Sequence, residues 1–303
     1  MTLAARFKIS APYVLSGDRA HLRIAVIVNP TAGFRRVPWH APVRAKLAEL
    51  GEVEFITPES PQGSTNAALE AERRGCNLII AAGGDGTVHR VINGLRNPDT
   101  EFGMLPVGTA NDLANYIGVP PSAEPAAAAI VAGGIRAIDV VNVNGIRIHT
   151  VGGFLLTADA ALRGDRLKRQ YRWLGPAAYK VGAAISIAIH GGKREVGALI
   201  ANQPTMGGNL RLPCDSVVDD GLCEIVTFAG GSRVRLARAL AAMSTGKPLP
   251  AGSVSWESVS KTTVRFDHDV EWFGDGEALG YATKFDIRVE HLALKIRGAR
   301  ART

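Results

Sequence analysis

The chain has 303 residues, 46% hydrophobic and 21% charged, which are the proportions of a folded protein long enough for two domains with sizeable cores. Thirty-five Lys and Arg against 28 Asp and Glu leave a net charge of +7; this favours an anionic partner without choosing among nucleic acid, a phospholipid surface and a phosphorylated ligand. Three scattered cysteines (Cys76, Cys214, Cys223) argue against a disulfide framework or a zinc site, and a reducing cytosol is the simplest home.

The first twenty residues carry only short apolar patches, so no secretory signal is expected, and residues 1–21 read as an N-terminal extension without an assigned role. Residues 24–28 (IAVIV) form a buried-strand pattern that ends at the turn dipeptide Asn29-Pro30. A helix is predicted over 42–50, a strand over 53–56 and a helix over 64–74, with Ala67, Ala68 and Ala71 on its apolar face. Strand signals at 78–82 and 102–105 flank a helix at 88–95. Strands separated by helices imply an α/β fold with a parallel sheet and flanking helices.

Near residue 135 the pattern changes. Residues 138–143, then Asn144-Gly145, then 146–148 read as a hairpin with a type I′ turn. Short strands dominate from there, broken by helix patterns at 176–189 and 233–243; the first of these carries Lys180 and is too short to cross a bilayer, so membrane contact is expected to be peripheral. The expected organisation is an α/β domain over 22–134 and a second, mainly antiparallel β-rich domain over 135–286. The apolar alternation at 287–296 suits either, so 287–303 could return to the first domain.

Two stretches carry chemistry. In Gly83-Gly84-Asp85-Gly86-Thr87, the residues that follow (Val88, Val91, Ile92, Leu95) keep helical spacing, so the glycines occupy a strand-to-helix turn at the carboxyl edge of a parallel sheet. Glycines there let backbone N–H groups approach an anion at a helix N-terminus. The plainer reading is a tight turn that needs glycine for positive φ. The P-loop pattern is absent, and His89 stands where a dinucleotide fingerprint needs its third glycine. The second stretch, residues 102–113 (FGMLPVGTANDL), repeats strand, glycine turn and helix; Thr109 and Asp112 have the spacing of a capping box.

These motifs, together with Asn29-Pro30-Thr31-Ala32-Gly33, Asp219-Asp220-Gly221-Leu222 and Gly274-Asp275-Gly276-Glu277, resemble the diacylglycerol kinase and sphingosine kinase superfamily, with soluble bacterial lipid kinases the nearer likeness. The resemblance runs in order over residues 22–296. It implies a nucleotide-binding α/β domain, a β-rich lipid-substrate domain and an ATP site in the cleft between them. Carried over by motif, ATP would be contacted by Asn29, Thr31, Thr57, Gly83, Gly84, Asp85, Gly86, Thr87 and Thr109. Asp275 would be the general base, which phosphoryl transfer to a lipid hydroxyl requires. Asp85 and Glu277 would hold Mg²⁺, through water or directly, and Asp112 would organise that network. Asp220, with the carbonyls of Val217 and Leu222, resembles a second metal position. Asp139 is given a structural role and His89 is expected to cap or solvate the loop helix; the seven histidines show no ligand spacing.

The expected activity is ATP-dependent phosphorylation of a lipid hydroxyl, on a diacylglycerol-like acceptor. A soluble dinucleotide kinase of the NAD kinase type and a nucleotide-binding protein without turnover are the alternatives. Expected partners are the lipid substrate and a peripheral anionic membrane surface at the inner face of the cytoplasm, with nucleic acid not expected and homodimerisation left open. The basic stretch 163–172 (RGDRLKRQYR) reads first as a solvated helix face. Two departures from the resembled pattern stand out. Arg90 occupies a position where relatives commonly have Glu, and residues 191–202 are short, which could open the second sheet or reshape the acceptor pocket.

Overall fold

The computed structural model describes residues 14–15, 21–29, 40–108, 110–175, 177–192, 195–207 and 210–300. In the amino-terminal half, strands and helices alternate: β1 (Val14–Leu15), β2 (Leu22–Val28), α1 (His40–Leu47), β3 (Gly51–Ile56), α2 (Pro61–Arg73), β4 (Leu78–Gly83), α3 (Asp85–Gly94), β5 (Glu101–Pro106), α4 (Asp112–Tyr116) and α5 (Ala123–Ala132). The hairpin β6 (Gly134–Val143) and β7 (Ile146–Ile148) follows, then β8 (Val151–Phe154), α6 (Leu156–Gln170), α7 (Ala177–His190) and β9 (Glu195–Ala201). The chain closes with β10 (Thr205–Met206), β11 (Leu210–Arg211), β12 (Cys223–Ala229), α8 (Arg233–Thr245), β13 (Val254–Val259), β14 (Lys261–Gly274) and β15 (Glu277–Arg297).

Strands β3, β2, β4 and β5 pair in parallel, and their apolar residues are the reason. Every residue of β4 is buried, as is nearly every residue of β2, which is the pattern of strands covered on both faces. Ile24, Ile27, Ile79, Ile80, Phe102 and Met104 form the centre of this core, covered by α2 packed with α3 and by α1 packed with α5. Ser60 caps α2 by accepting the Gly63 N–H, with Pro61 at the first helical position, where its missing N–H costs nothing.

The remaining strands pair antiparallel, save where β15 meets β5. The predicted hairpin forms as read: Asn144 and Gly145 both have positive φ, and Val143 faces Ile146. The two halves are joined by β15. Its carboxyl end pairs in parallel with β5 and antiparallel with β6, and its amino end pairs with β14. One sheet therefore runs β13-β12-β9-β8-β14-β15-β5-β4-β2-β3. The alternation at 287–296 serves both halves because one long strand runs through both. The short 191–202 region does not open the sheet: β9 pairs with β8 on one side and β12 on the other.

Two helix boundaries are corrected. Helix α3 starts at Asp85, so Gly86 lies inside its first turn and not in a preceding loop. The basic stretch 163–172, read as a solvated helix face, is the carboxyl-terminal part of a longer helix, α6, which starts at Leu156. The three cysteines are free and buried.

Helices α6 and α7 cross at near-backbone contact. A Cβ on Gly182 would lie 2.6 Å from the Gly164 nitrogen and 2.9 Å from the Ala160 carbonyl oxygen, and one on Gly164 would meet the Tyr179 ring at 2.7 Å. No flexible side chain can yield at Gly182, because its neighbours are main chain. Gly182→Ala is therefore expected to cost about 1–3 kcal/mol through overpacking, read from the denaturant midpoint. An unchanged midpoint would contradict this close crossing.

Candidate active site

The site is built where α3 leaves the sheet. Gly83, Gly84 and Gly86 all have φ outside the positive range, so the tight-turn reading of the glycines fails. Their constraint is close approach. A Cβ on Gly84 would lie 3.1 Å from the Gly108 Cα, a Cβ on Gly108 would lie 2.4 Å from the Gly84 Cα, and a Cβ on Gly86 would strike Glu277 Oε1 at 2.1 Å. The two glycine turns are in main-chain contact, and the carboxylate of Glu277 from the second half rests on the first turn of α3.

Asp85 receives the Asn111 N–H on Oδ2 at 2.9 Å and the Asp112 N–H on Oδ1 at 2.7 Å. It thereby caps the next helix from another strand's loop, satisfying N–H groups at the start of α4. The Asn111 side chain makes no cap bond to that helix, and Asn111 has φ 50°. Asp112 turns away and accepts the Gly207 N–H at 2.8 Å, a bond between the two halves. Burial raises the proton affinity of Asp85 against the pull of those N–H groups. Burial, joined by the charge of Asp85, pushes Asp112 up to about 6.

Asp275 sits in the β14–β15 turn, where it and Gly276 have φ of 53° and 81°, the sign a two-residue type I′ turn needs. The hairpin reading of Gly-Asp-Gly therefore holds, and the turn carries the Asp275 side chain inward. Its side chain has no exposed surface. Oδ1 accepts from the Thr150 N–H at 2.8 Å, the Thr150 hydroxyl at 2.7 Å and the His149 N–H at 3.2 Å. Oδ2 lies 2.7 Å from His89 Nδ1 and 2.9 Å from His149 Nδ1, the latter outside hydrogen-bond alignment. Burial alone would raise this carboxyl, but the two neighbouring imidazoles, one of them hydrogen-bonded, outweigh it and hold it well below the usual carboxylate range.

This geometry corrects the expectation for His89, which neither caps nor solvates its helix: it is buried and bonds Asp275 across 186 positions of sequence. The histidines do converge, since ligand atoms of His89, His149 and Asp275 lie within 4.8 Å of one another. Arg90 also has a partner. It donates to Glu277 Oε2 at 2.8 Å and to the Gly86 carbonyl at 3.0 Å. Asn93 and Arg147 exchange side-chain and main-chain hydrogen bonds at 2.9 Å. One face of α3 is thereby fastened to the second half.

A polar cavity of about 150 Å³ lies in this cleft, lined by Gly84, Asp85, Gly86 and Asp112 from the first half and by Thr150, Asp165, Lys168, Asp275 and Glu277 from the second. Of the sequence-predicted residues, Asp85, Asp112, Asp275 and Glu277 line this one cavity. Beside it lies an apolar cavity of about 80 Å³ walled by α6, α7, α8 and β9, and the two share Ala161, Tyr179, Met206 and Gly207. Lys168 is the one Lys or Arg lining the polar cavity among the described residues, and its ammonium stands 5.4 Å above the Tyr179 ring.

Other sequence-predicted residues lie outside this lining. Asn29 donates to the Thr87 hydroxyl at 3.0 Å where β2 meets α3, and Thr57 is exposed at the end of β3. Thr31 and Thr109 fall outside the described residues. Val217, Asp220 and Leu222 do not line the cavity. Their loop is tied to the fully buried Asp139, which accepts the Gly221 N–H at 2.6 Å, the Leu292 N–H at 2.7 Å and pairs with His291 at 2.8 Å. Thr150, His149 and Lys168 were not singled out as site residues from sequence. His149 and Thr150 follow an apolar strand directly, which is the one local signal that they face inward.

Residues 23–143 match the model of the diacylglycerol kinase catalytic domain, and residues 158–297 match that of the YegS C-terminal NAD kinase beta sandwich-like domain. A protein named diacylglycerol kinase from Bacillus subtilis (strain 168) is 30% identical over 274 residues, covering 84% of this chain and 89% of that one. "Probable lipid kinase YegS" of Escherichia fergusonii is 28% identical over 325 residues, 93% and 92% of the two chains. A crystal structure described as a diacylglycerol kinase from Bacillus anthracis str. Sterne superposes with a TM-score of 0.68 at 18% identity, over 91% of this chain and 96% of that one; this likeness shows the fold alone.

Asp112 gives the site a pH signature. The folded state holds its proton up to about pH 6, whereas an unfolded aspartate releases it near pH 4. The folded chain thus binds more protons between those values. Its contribution to stability is full below about pH 4 and is lost as pH rises through about 6. In metal-free buffer, Asp112→Asn is expected to be more stable than wild type at pH 7 by on the order of 2 kcal/mol, with the difference vanishing towards pH 4. A difference that stays constant across that range would contradict the burial of this carboxylate.

Proposed function

The chain belongs to the diacylglycerol kinase catalytic-domain family, and from that premise we propose that it transfers the γ-phosphoryl group of ATP to the hydroxyl of a diacylglycerol-like lipid. The observation that carries the lipid reading is the apolar cavity opening beside the polar one. A soluble dinucleotide has no use for a pocket walled by Leu156, Ile187, Phe228, Leu240 and Met243. An acyl chain does, because burying each methylene contributes about 0.8 kcal/mol.

In this reading the nucleotide runs along the carboxyl edge of the parallel strands, where Asn29, Thr57 and the Gly83–Thr87 turn stand. Thr31 and Thr109 join it by motif. The phosphates would meet the start of α3, where helix N–H groups and the macrodipole favour negative charge. Lys168 adds a positive charge from the opposite wall. The donor set fits a hydrated magnesium ion: Asp85, Asp112 and Glu277 offer hard oxygens around one cavity, and a cation would offset the cost of burying the Asp85 and Asp112 carboxylates that raises their proton affinities. When bound, magnesium would neutralise charge on the transferring phosphoryl group. Asp85 keeps its orientation through the Asn111 and Asp112 N–H groups, and Glu277 keeps its own through Arg90. A second cation at Asp220 with the carbonyls of Val217 and Leu222 would reinforce a loop that Asp139 already holds.

Asp275 is the proposed acceptor of the lipid hydroxyl proton. The enzyme would work in the cytoplasm at the inner membrane face. Supporting that placement, Trp173 is 82% exposed just after the basic helix α6, and no described helix is long and apolar enough to cross a bilayer. Cations close to anionic lipid contribute about 1 kcal/mol each.

The test is incubation of purified protein with Mg·ATP and a panel of dispersed lipids, with products read by mass spectrometry. A phosphorylated neutral lipid is expected. Phosphorylated NAD instead would move the chain to the dinucleotide kinases, and ATP binding with no product would leave a binding protein. Two variants sharpen the assignment. Asp275→Asn should lower kcat by about 10²-fold or more with ATP affinity near wild type. Gly84→Ala should weaken ATP binding by driving its Cβ against Gly108; equal affinity would mean the turn only shapes the chain.

A further inference from the structure

Asp275 lines the polar cavity through its main chain, and its carboxylate cannot be reached directly from there. Its side chain has no exposed surface, and both oxygens are already occupied by donors from His89, His149 and Thr150. One of those donors belongs to the cavity wall. Thr150 lines the cavity, is 5% exposed, and points its hydroxyl at Asp275 Oδ1 from 2.7 Å. A threonine hydroxyl has one proton to donate and two lone pairs that accept. Here the proton is committed to Asp275, and no described group donates to the lone pairs. Among the described residues, Thr150 is therefore the single hydrogen-bonding step between a molecule in the cavity and the buried carboxylate.

We propose that Thr150 is a catalytic relay, which receives the acceptor's hydroxyl proton on Oγ while passing its own proton to Asp275 Oδ1. The inference rests on the kinase reading above. The balance is complete. The acceptor oxygen forms its bond to the γ-phosphorus as the bond between that phosphorus and the β–γ bridging oxygen breaks, and the electron pair leaves on ADP. The acceptor's proton moves to Thr150 Oγ, the former hydroxyl proton moves to Asp275, and the reverse transfer returns it to water once product has left. The neighbours fix the geometry. The Thr150 N–H also bonds Oδ1, and its carbonyl accepts the Asn202 N–H at 2.9 Å, so the residue is held on both sides of its side chain.

The relay distinguishes a hydroxyl from its shape. Thr150→Val keeps the volume and removes the proton path, whereas Thr150→Ser keeps the path. Expected in single-turnover assays with lipid and Mg·ATP are a loss of about 10²-fold or more for the valine variant, less than about fivefold for serine, and unchanged ATP affinity in both. For wild type, the rate should fall along a curved line as deuterium replaces hydrogen in the solvent, because two protons move together. Valine turnover equal to wild type overturns the relay and leaves the kinase reading standing. Equal losses for valine and serine also overturn it, since then packing and not the hydroxyl matters. A linear deuterium dependence in wild type overturns it even if the valine variant fails to fold. Wild type that phosphorylates no lipid overturns the kinase reading and the relay together.

Discussion

A carboxylate with no exposed surface governs this structure. Taking an isolated ion out of water costs several kcal/mol even after relaxation, and Asp275 is tolerable only because donors surround it. They come from both halves of the chain: His89 from α3, and His149 and Thr150 from the segment after β7. A charged hydrogen bond of this kind contributes about 1.5–3 kcal/mol. Withdrawing α3 would leave the carboxylate without His89 and would also break the Arg90–Glu277 and Asn93–Arg147 links. The chemistry of the site and the cohesion of the two halves therefore rest on the same side chains.

The second organising feature is a boundary between charge and oil. Acidic side chains crowd the polar cavity, and only apolar or weakly polar ones wall its neighbour. Tyr179 stands on both sides, presenting its ring to the Lys168 ammonium. This boundary depends on how closely α6 and α7 cross, which Gly164 and Gly182 allow. A lipid with a small hydroxyl-bearing head and a long tail has the same division along its length. In the proposed reading, the division accounts for an α/β unit joined to a second, antiparallel one: the first would supply the phosphate edge and the second the oil. The joint itself is β15, which hydrogen-bonds to strands of both.

Much of this was legible in the sequence because it is written locally. Apolar runs of five or six residues followed by glycine announced the parallel strands and the edge where Asp85 stands, and Asn144-Gly145 announced a hairpin. What stayed hidden is nonlocal. His89 looked like a surface residue because its partner is far away in sequence, and Arg90 looked like a charge reversal beside a phosphate loop because Glu277 was not in view. The glycines of the loop were read as room for an anion, or for positive φ; the atoms that come close to Gly84 and Gly86 are Gly108 and Glu277. Thr150 carried no motif at all. Its proposed role follows only from the occlusion of Asp275, which no pattern along the chain can express. The first half of helix α6, ahead of the 163–172 helix face, escaped because its start at Leu155 has φ 57° with no capping side chain.

The central claim is that both halves close on one reacting centre, with phosphates at the start of α3 and the proton acceptor across the cleft. A crystal structure with magnesium and a non-hydrolysable ATP analogue tests it most directly. The account places the terminal phosphate inside the polar cavity, between the Gly84–Gly86 turn and Thr150. Phosphates bound anywhere else on the molecule, with Thr150 and Asp275 remote from them, would contradict it.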